Sequence, residues 1–193
     1  MKFSHPLMQS NFTKSDIIAA TKILRKKNII LTQSKQVQEF EKKWSKWLGV
    51  KYTVFVNSGS SANFLTMAAL KLLYGKGEII VPSLTWVSDI VSVIQNNFKP
   101  VFVDINPKNL CMSESQIIKK VNNKTLAVFM THVQGFNGLS DKLISFLKKR
   151  KILLIEDVCE SHGATFNNKK LGTFGKISNF SFYYAHHMST IEG

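Results

Sequence analysis

Apolar residues recur at helical spacing over 15–27 and again over 34–48, where Val37, Phe40, Trp44 and Leu48 share one stripe. The period then changes. Residues 52–56 (Tyr-Thr-Val-Phe-Val) make a short β-rich run that ends in the polar sequence Asn57-Ser58-Gly59-Ser60-Ser61. From there strand and helix patterns alternate: helix 62–74, strand 78–81, helix 83–96, strand 100–104, helix 113–121, strand 126–130, helix 140–149 and strand 152–156. The strands are almost continuously apolar, so both of their faces should be covered. That predicts an α/β fold, a mainly parallel sheet with helices on both faces. Beyond Asp157 a glycine-punctuated stretch runs to Gly175, and the last predicted strand is 179–183. The pattern stops at Gly193 with neither a closing helix nor a polar tail, which reads as an incomplete domain.

Composition narrows the picture further. A chain of 193 residues, 44% of them hydrophobic, can bury one sizeable core. Cys111 and Cys159 are far apart and lack CxxC spacing, so they read as reduced thiols of a cytoplasmic protein. Residues 1–6 contain no apolar signal core, and no run approaches the roughly 20 apolar residues of a membrane span. The formal charge of +14 is almost all lysine, with Arg25 and Arg150 the two arginines. Dispersed, arginine-poor charge fits solvated helix faces and argues against nucleic acid as a partner, while a general bias toward anionic ligands stays compatible.

Four segments carry candidate chemistry. The turn 57–63 lies between a strand and a helix, where backbone N–H groups and the helix dipole favour an anion and glycine allows close approach; a serine-rich N-cap reads the same way. Asp157 ends a central parallel strand, the end at which α/β folds place ligands, and a carboxylate there can pair with a protonated ring nitrogen or merely cap the next loop. Its neighbour Glu156 points to the opposite sheet face and is expected to matter less. Trp86 follows the second predicted strand and can stack on an aromatic ring or join the core. The segment 181–193 (Ser-Phe-Tyr-Tyr-Ala-His-His-Met-Ser-Thr-Ile-Glu-Gly) has adjacent histidines that point opposite ways, with no third ligand at metal spacing. Acid–base work by one histidine suits it better than a metal.

The order SGSSAN, VPSLTW, VFVDI, THVQG, IEDVCESHGATFNNKKLGTFG and FSFYYAHHMSTIEG resembles the DegT/DnrJ/EryC1/StrS sugar aminotransferase family, from about Leu7 to Gly193. The resemblance implies the large domain of a fold-type-I pyridoxal-phosphate enzyme, here its N-terminal part, with a small C-terminal domain absent. It implies that Gly59, Ser60 and Ser181 hold the cofactor phosphate, that Trp86 stacks on the ring and that Asp157 meets its nitrogen. Glu160 falls where a side chain meets the ring hydroxyl, usually glutamine in the aminotransferases. His186 stands where ordinary members have the lysine that joins the cofactor covalently, and no lysine occurs from Phe182 to Gly193.

Histidine has no primary amine but can move a proton. The same exchange marks the nucleotide-sugar 3-dehydratases of dideoxysugar and surface-polysaccharide (O-antigen) biosynthesis. The resemblance therefore implies pyridoxal or pyridoxamine phosphate, a nucleotide-linked 4-keto-6-deoxyhexose, glutamate as amino donor, and a homodimer. A nucleotide-sugar aminotransferase and a non-catalytic truncated remnant or interaction protein are the alternatives. A chain of this length is expected to be inactive and poorly folded alone, with open strand edges at 53–56 and 180–182.

Overall fold

The computed structural model describes residues 12–190. The segment 1–6, the start of the resemblance at Leu7 and the last three residues of AHHMSTIEG lie outside them. The described chain divides into two compact units: 12–57 with 182–190, and 58–181.

In the first unit, α1 (Lys14–Leu24) begins with a capping box in which Asp16 N–H donates to Thr13 Oγ1 and Thr13 N–H donates to Asp16 Oδ2. Helix α2 (Lys35–Leu48) ends at Gly49, whose φ of 89° suits the left-handed C-cap. The apolar stripe of α2 does what its spacing predicts. Phe40 and Trp44 pack edge-on to Phe182 at centroid distances of 5.2 and 4.9 Å, and Phe40 meets Phe55 at 5.2 Å.

The β-rich run 52–56 takes no regular secondary structure and forms no ladder among the described residues. Its Phe55 is satisfied by side chains instead: its N–H donates to Glu41 Oε1 at 2.8 Å, and Gln33 Nε2 donates to its carbonyl. Ring packing of Phe55 and polar capping of its backbone win over strand pairing. The strand expected there is therefore corrected to an irregular segment.

The second unit opens with α3 (Gly59–Tyr74), three residues earlier than the periodicity indicates, because Ser58 caps it by accepting Ser61 N–H. Five strands then form one wholly parallel sheet in the order β2 (Lys99–Val103), β1 (Glu78–Pro82), β3 (Thr125–Thr131), β4 (Leu153–Asp157), β7 (Ile177–Asn179). Helices α4 (Val87–Gln95), α5 (Glu114–Lys120) and α6 (Asp141–Lys149) occupy the crossovers. The sheet separates two apolar clusters. Met67, Leu70, Val93 and Phe129 lie in one, and Ile117, Met130, Leu143 and Leu147 in the other. Helices thus cover both faces of a mainly parallel sheet, as the sequence predicts.

Helix α4 and the last strand also differ from expectation. Helix α4 starts at Val87 rather than at 83, because Ser83 N–H donates to Val103 O and holds 83–86 as a loop at the end of β1. The last strand is 177–179, not 179–183: β7 pairs Ile177, Ser178 and Asn179 with 155–157, and the aromatic Phe182 packs in the other unit. So 180–182 is not an open strand edge. The stretch 158–175 also contains a two-residue hairpin, β5 (Thr165–Phe166) and β6 (Lys169–Lys170), turned by Asn167 and Asn168 at φ 48° and 59°.

Candidate active site

Parallel strands converge their carboxyl ends on one edge of the sheet, and a parallel α/β sheet offers ligands that edge. Here it gathers most of the residues singled out from the sequence. Asp157 ends β4, the fourth strand of the sheet and an interior one, not the fifth as the sequence count has it. Its backbone carbonyl accepts His132 N–H and its Oδ1 accepts Cys159 N–H, both at 2.9 Å. The side chain is buried, with 4% of the residue exposed.

Gly59 and Ser181 meet at the start of α3. A Cβ on Gly59 would lie 2.9 Å from Ser181 Cβ, 3.3 Å from Ser181 Oγ and 3.5 Å from Cys159 Sγ. The missing side chain is what lets the helix start, the second residue after β7 and the turn after Asp157 occupy one place. Helix geometry leaves the first-turn N–H groups of α3 without intrahelical partners, and Ser58 Oγ takes only that of Ser61. Gly59→Ala should force α3 and Ser181 apart, since a Cβ is rigid. A net loss of about 1–2 kcal/mol is expected, read as a fall in Tm, even though alanine is the better helix former by roughly 1 kcal/mol.

Trp86 is the N-cap residue of α4 and is 67% exposed, so it is not the core tryptophan that a lone apolar ring might be. Glu160 is held beside the β4 end, where its Oε2 accepts Gln134 N–H at 3.1 Å. Ser60 lies exposed in the first turn of α3. His186 belongs to the other unit, within the turn 183–190, where its N–H donates to Tyr183 O at 2.9 Å and its ring lies edge-on to Tyr183. Among the described residues no group of three metal-ligating side chains occurs, and no helix is long and apolar enough to cross a membrane.

Sequence reasoning missed two buried constellations. Glu156 does face away from Asp157, yet it is no bystander. It accepts N–H bonds from Gly172, Phe174 and Gly175 at 2.9, 2.9 and 2.6 Å and lies 3.2 Å from His132 Nε2. Because His132 Nδ1 accepts Gly138 N–H, the ring hydrogen sits on Nε2, pointing at Glu156. One carboxyl therefore fixes the whole 172–175 turn.

The second constellation is on the Asp157 face. Asp89, fully buried in the first turn of α4, accepts from Asn63 Nδ2 at 2.6 Å and contacts the Thr85 and Thr131 hydroxyls. Asn63 in turn accepts from Asn179, which accepts from Thr66. Burial, and then the Asp157 charge beside it, push the Asp89 carboxyl well above the usual range; the same two causes push the Cys159 thiol up. A signal for Asp89 exists in the sequence: it lies on the stripe of Ser92 and Val93, three and four residues on, where an acid is out of place.

The model of the DegT/DnrJ/EryC1/StrS aminotransferase family matches residues 11–193. The chain belongs to this family. The DegT/DnrJ/EryC1/StrS relatives include a GDP-4-keto-6-deoxy-D-mannose 3-dehydratase from Escherichia coli O55:H7, 36% identical over 98% of this chain and 50% of its own length. A solved structure described as the E. coli GDP-4-keto-6-deoxy-D-mannose-3-dehydratase with bound hydrated PLP superposes with a TM-score of 0.91 at 36% identity, covering 98% of this chain and 49% of that one. Another, of GDP-4-keto-6-deoxymannose-3-dehydratase with a trapped PLP-glutamate geminal diamine, gives a TM-score of 0.92 at 36% identity over 98% and 50% of the two chains. The fold is thus that of fold-type-I pyridoxal-phosphate enzymes. The chain spans about half the length of the curated relatives it matches.

Proposed function

We propose that this chain is the N-terminal part of the large domain of a pyridoxal-phosphate-dependent 3-dehydratase, acting in the cytoplasm as a homodimer on a GDP-linked 4-keto-6-deoxyhexose. Glutamate is the amino donor in this reading. The observation that carries it is His186, in the segment of the family's cofactor lysine, with no lysine from Phe182 onward. The names of the relatives support the nucleotide, the sugar and glutamate.

The residues present fit the cofactor. The Gly59–Ser181 approach brings a serine hydroxyl to a helix N-terminus, a pairing suited to a phosphate. Asp157 supplies a buried carboxylate for a ring nitrogen, Trp86 an exposed ring for stacking, Ser60 a second hydroxyl, and Glu160 an oxygen for the ring hydroxyl. Bound pyridoxamine phosphate supplies an amine for the keto group and a protonated ring that takes up electrons. Asp157 would hold the ring nitrogen in its protonated form, and His186 would be the acid–base group that moves a proton at its imidazole and returns one to the departing 3-hydroxyl. Because residue 186 has no primary amine to recapture the cofactor, the amino group would end as ammonia. Glutamate becomes 2-oxoglutarate and the sugar loses its 3-oxygen, so atoms and electrons balance.

Supplied with GDP-4-keto-6-deoxymannose, glutamate and pyridoxal phosphate, the protein carrying this chain should yield the 3-deoxy sugar, 2-oxoglutarate and ammonia in equal amounts. A 4-amino sugar as product would make it an aminotransferase and sink the dehydratase reading. Asp157→Asn should cost roughly 10²-fold or more in turnover while leaving Tm nearly unchanged, because shape is kept and only the ring nitrogen's charge partner is lost.

A further inference from the structure

The strongest unexplained feature is the buried carboxyl of Asp89, three residues after Trp86 and unused by the reaction as derived. Counting hydrogens around it is informative. Asp89 Oδ2 contacts Thr85 Oγ1 and Thr131 Oγ1, the latter at 2.9 Å, and the two hydroxyl oxygens are themselves 2.7 Å apart. Three oxygens in mutual contact need three hydrogens, one per edge of the triangle. The two threonines bring two. The third has to come from the carboxyl of Asp89 itself, and Asp157 stands beside this group as the ladder partner of Thr131. The remaining oxygen of Asp89 is occupied by Asn63 Nδ2, whose other hydrogen has Ser88 Oγ at 3.0 Å. Among the described residues no ion pair reaches Asp89. Helix α3 presents Asn63, β3 presents Thr131, and the titratable groups that face Asp89 are Asp157 and the Cys159 thiol.

We propose that Asp89 is a positioning residue: a neutral carboxylic acid, held by Asn63, Thr85 and Thr131, that stands beside Asp157 without adding a second negative charge at the end of β4. The consequence rests on the proposed function. With Asp89 neutral, Asp157 meets a ring nitrogen with no second carboxylate charge competing beside it. Asn63, Thr85 and Thr131 fix the orientation of Asp89, and Asn179 and Thr66 fix Asn63.

The test needs no cofactor and no sugar, so its failure and that of the proposed function are separable. The full protein carrying this chain and its Asp89→Asn variant are melted across pH without ligand. Asparagine is a permanent mimic of the neutral acid and still has hydrogens to give. A neutral Asp89 keeps its proton in the folded chain and loses it on unfolding above about pH 4. Its contribution is thus fully present below that pH and lost as pH rises through its folded-state value. Tm of the unsubstituted chain, relative to the variant, should fall steadily from about pH 4 upward. A difference that is constant, or that grows with pH, overturns the proposal. If the variant does not fold, carboxyl-13C aspartate NMR on the unsubstituted chain and on Asp157→Asn decides. One aspartate should keep a protonated shift to higher pH than the others and titrate at lower pH once Asp157 is replaced. Absence of that signal, or a titration that Asp157→Asn does not move, overturns it equally.

Discussion

Replacing Glu156 by glutamine is expected to destabilise the protein by about 2–5 kcal/mol, with a matching fall in the urea midpoint. The carboxyl faces four donors: Gly172 N–H and the His132 ring hydrogen on Oε2, Phe174 and Gly175 N–H on Oε1. Whichever oxygen becomes an amide nitrogen, two donors are left facing a donor. Each buried unsatisfied group costs roughly 1–3 kcal/mol. A typical domain has roughly 5–15 kcal/mol in all, so this one atom changes a large share of it. Asp157→Asn, one residue on, should leave the midpoint almost where it was. Equal midpoints for Glu156→Gln and the unsubstituted chain would show that the 172–175 turn is held by something else.

The largest functional effect is expected at residue 186. Under the proposed dehydration, His186→Asn should lower turnover by roughly 10²–10⁴-fold, the range for a lost acid–base group, with pyridoxal phosphate still bound. His186→Lys goes further. It restores a primary amine, so borohydride treatment and mass analysis should find a pyridoxyl group on residue 186, where the unsubstituted protein gives none. A pyridoxyl group on one of the native lysines of the unsubstituted protein would remove the dehydratase reading altogether.

Strand and helix alternation from 59 to 157 was legible because a strand buried on both faces reads as a continuous apolar run, and each crossover helix has its own stripe. Asp157 and Trp86 were legible for a related reason: one ends β4 and the other lies in the loop after β1, and in a parallel sheet those strand ends share one edge, while Gly59 was legible from the serine-rich turn that starts α3. The run 52–56 misled because β propensity records a preference for a pleated, half-buried surface, and Phe55 finds its burial against Phe40 instead. Phe182 misled likewise. Asp89 and Glu156 were invisible as partners because their meaning lies in atoms 24–68 positions away, at His132 and Asp157. A pattern along the chain reports which face a residue occupies, not what waits there.

The buried chain of side chains from Asp89 through Asn63 to Asn179 also sets an order of events during synthesis. Asn63 and Asn179 are 116 positions apart, and Thr66 bonds the same asparagine. At ~5–20 residues per second, about ten seconds pass on the ribosome between the emergence of one and of the other. Through that interval β1 to β4 can pair, but β4 lacks its outer neighbour and Thr66 and Asn63 lack the amide that will satisfy them. The growing chain therefore carries an exposed strand edge and polar groups that only water can serve until β7 arrives. Arrival of β7 gives β4 its outer neighbour and completes this polar network in the same step, so the Asp89–Asn63–Asn179 part of the site forms late and all at once.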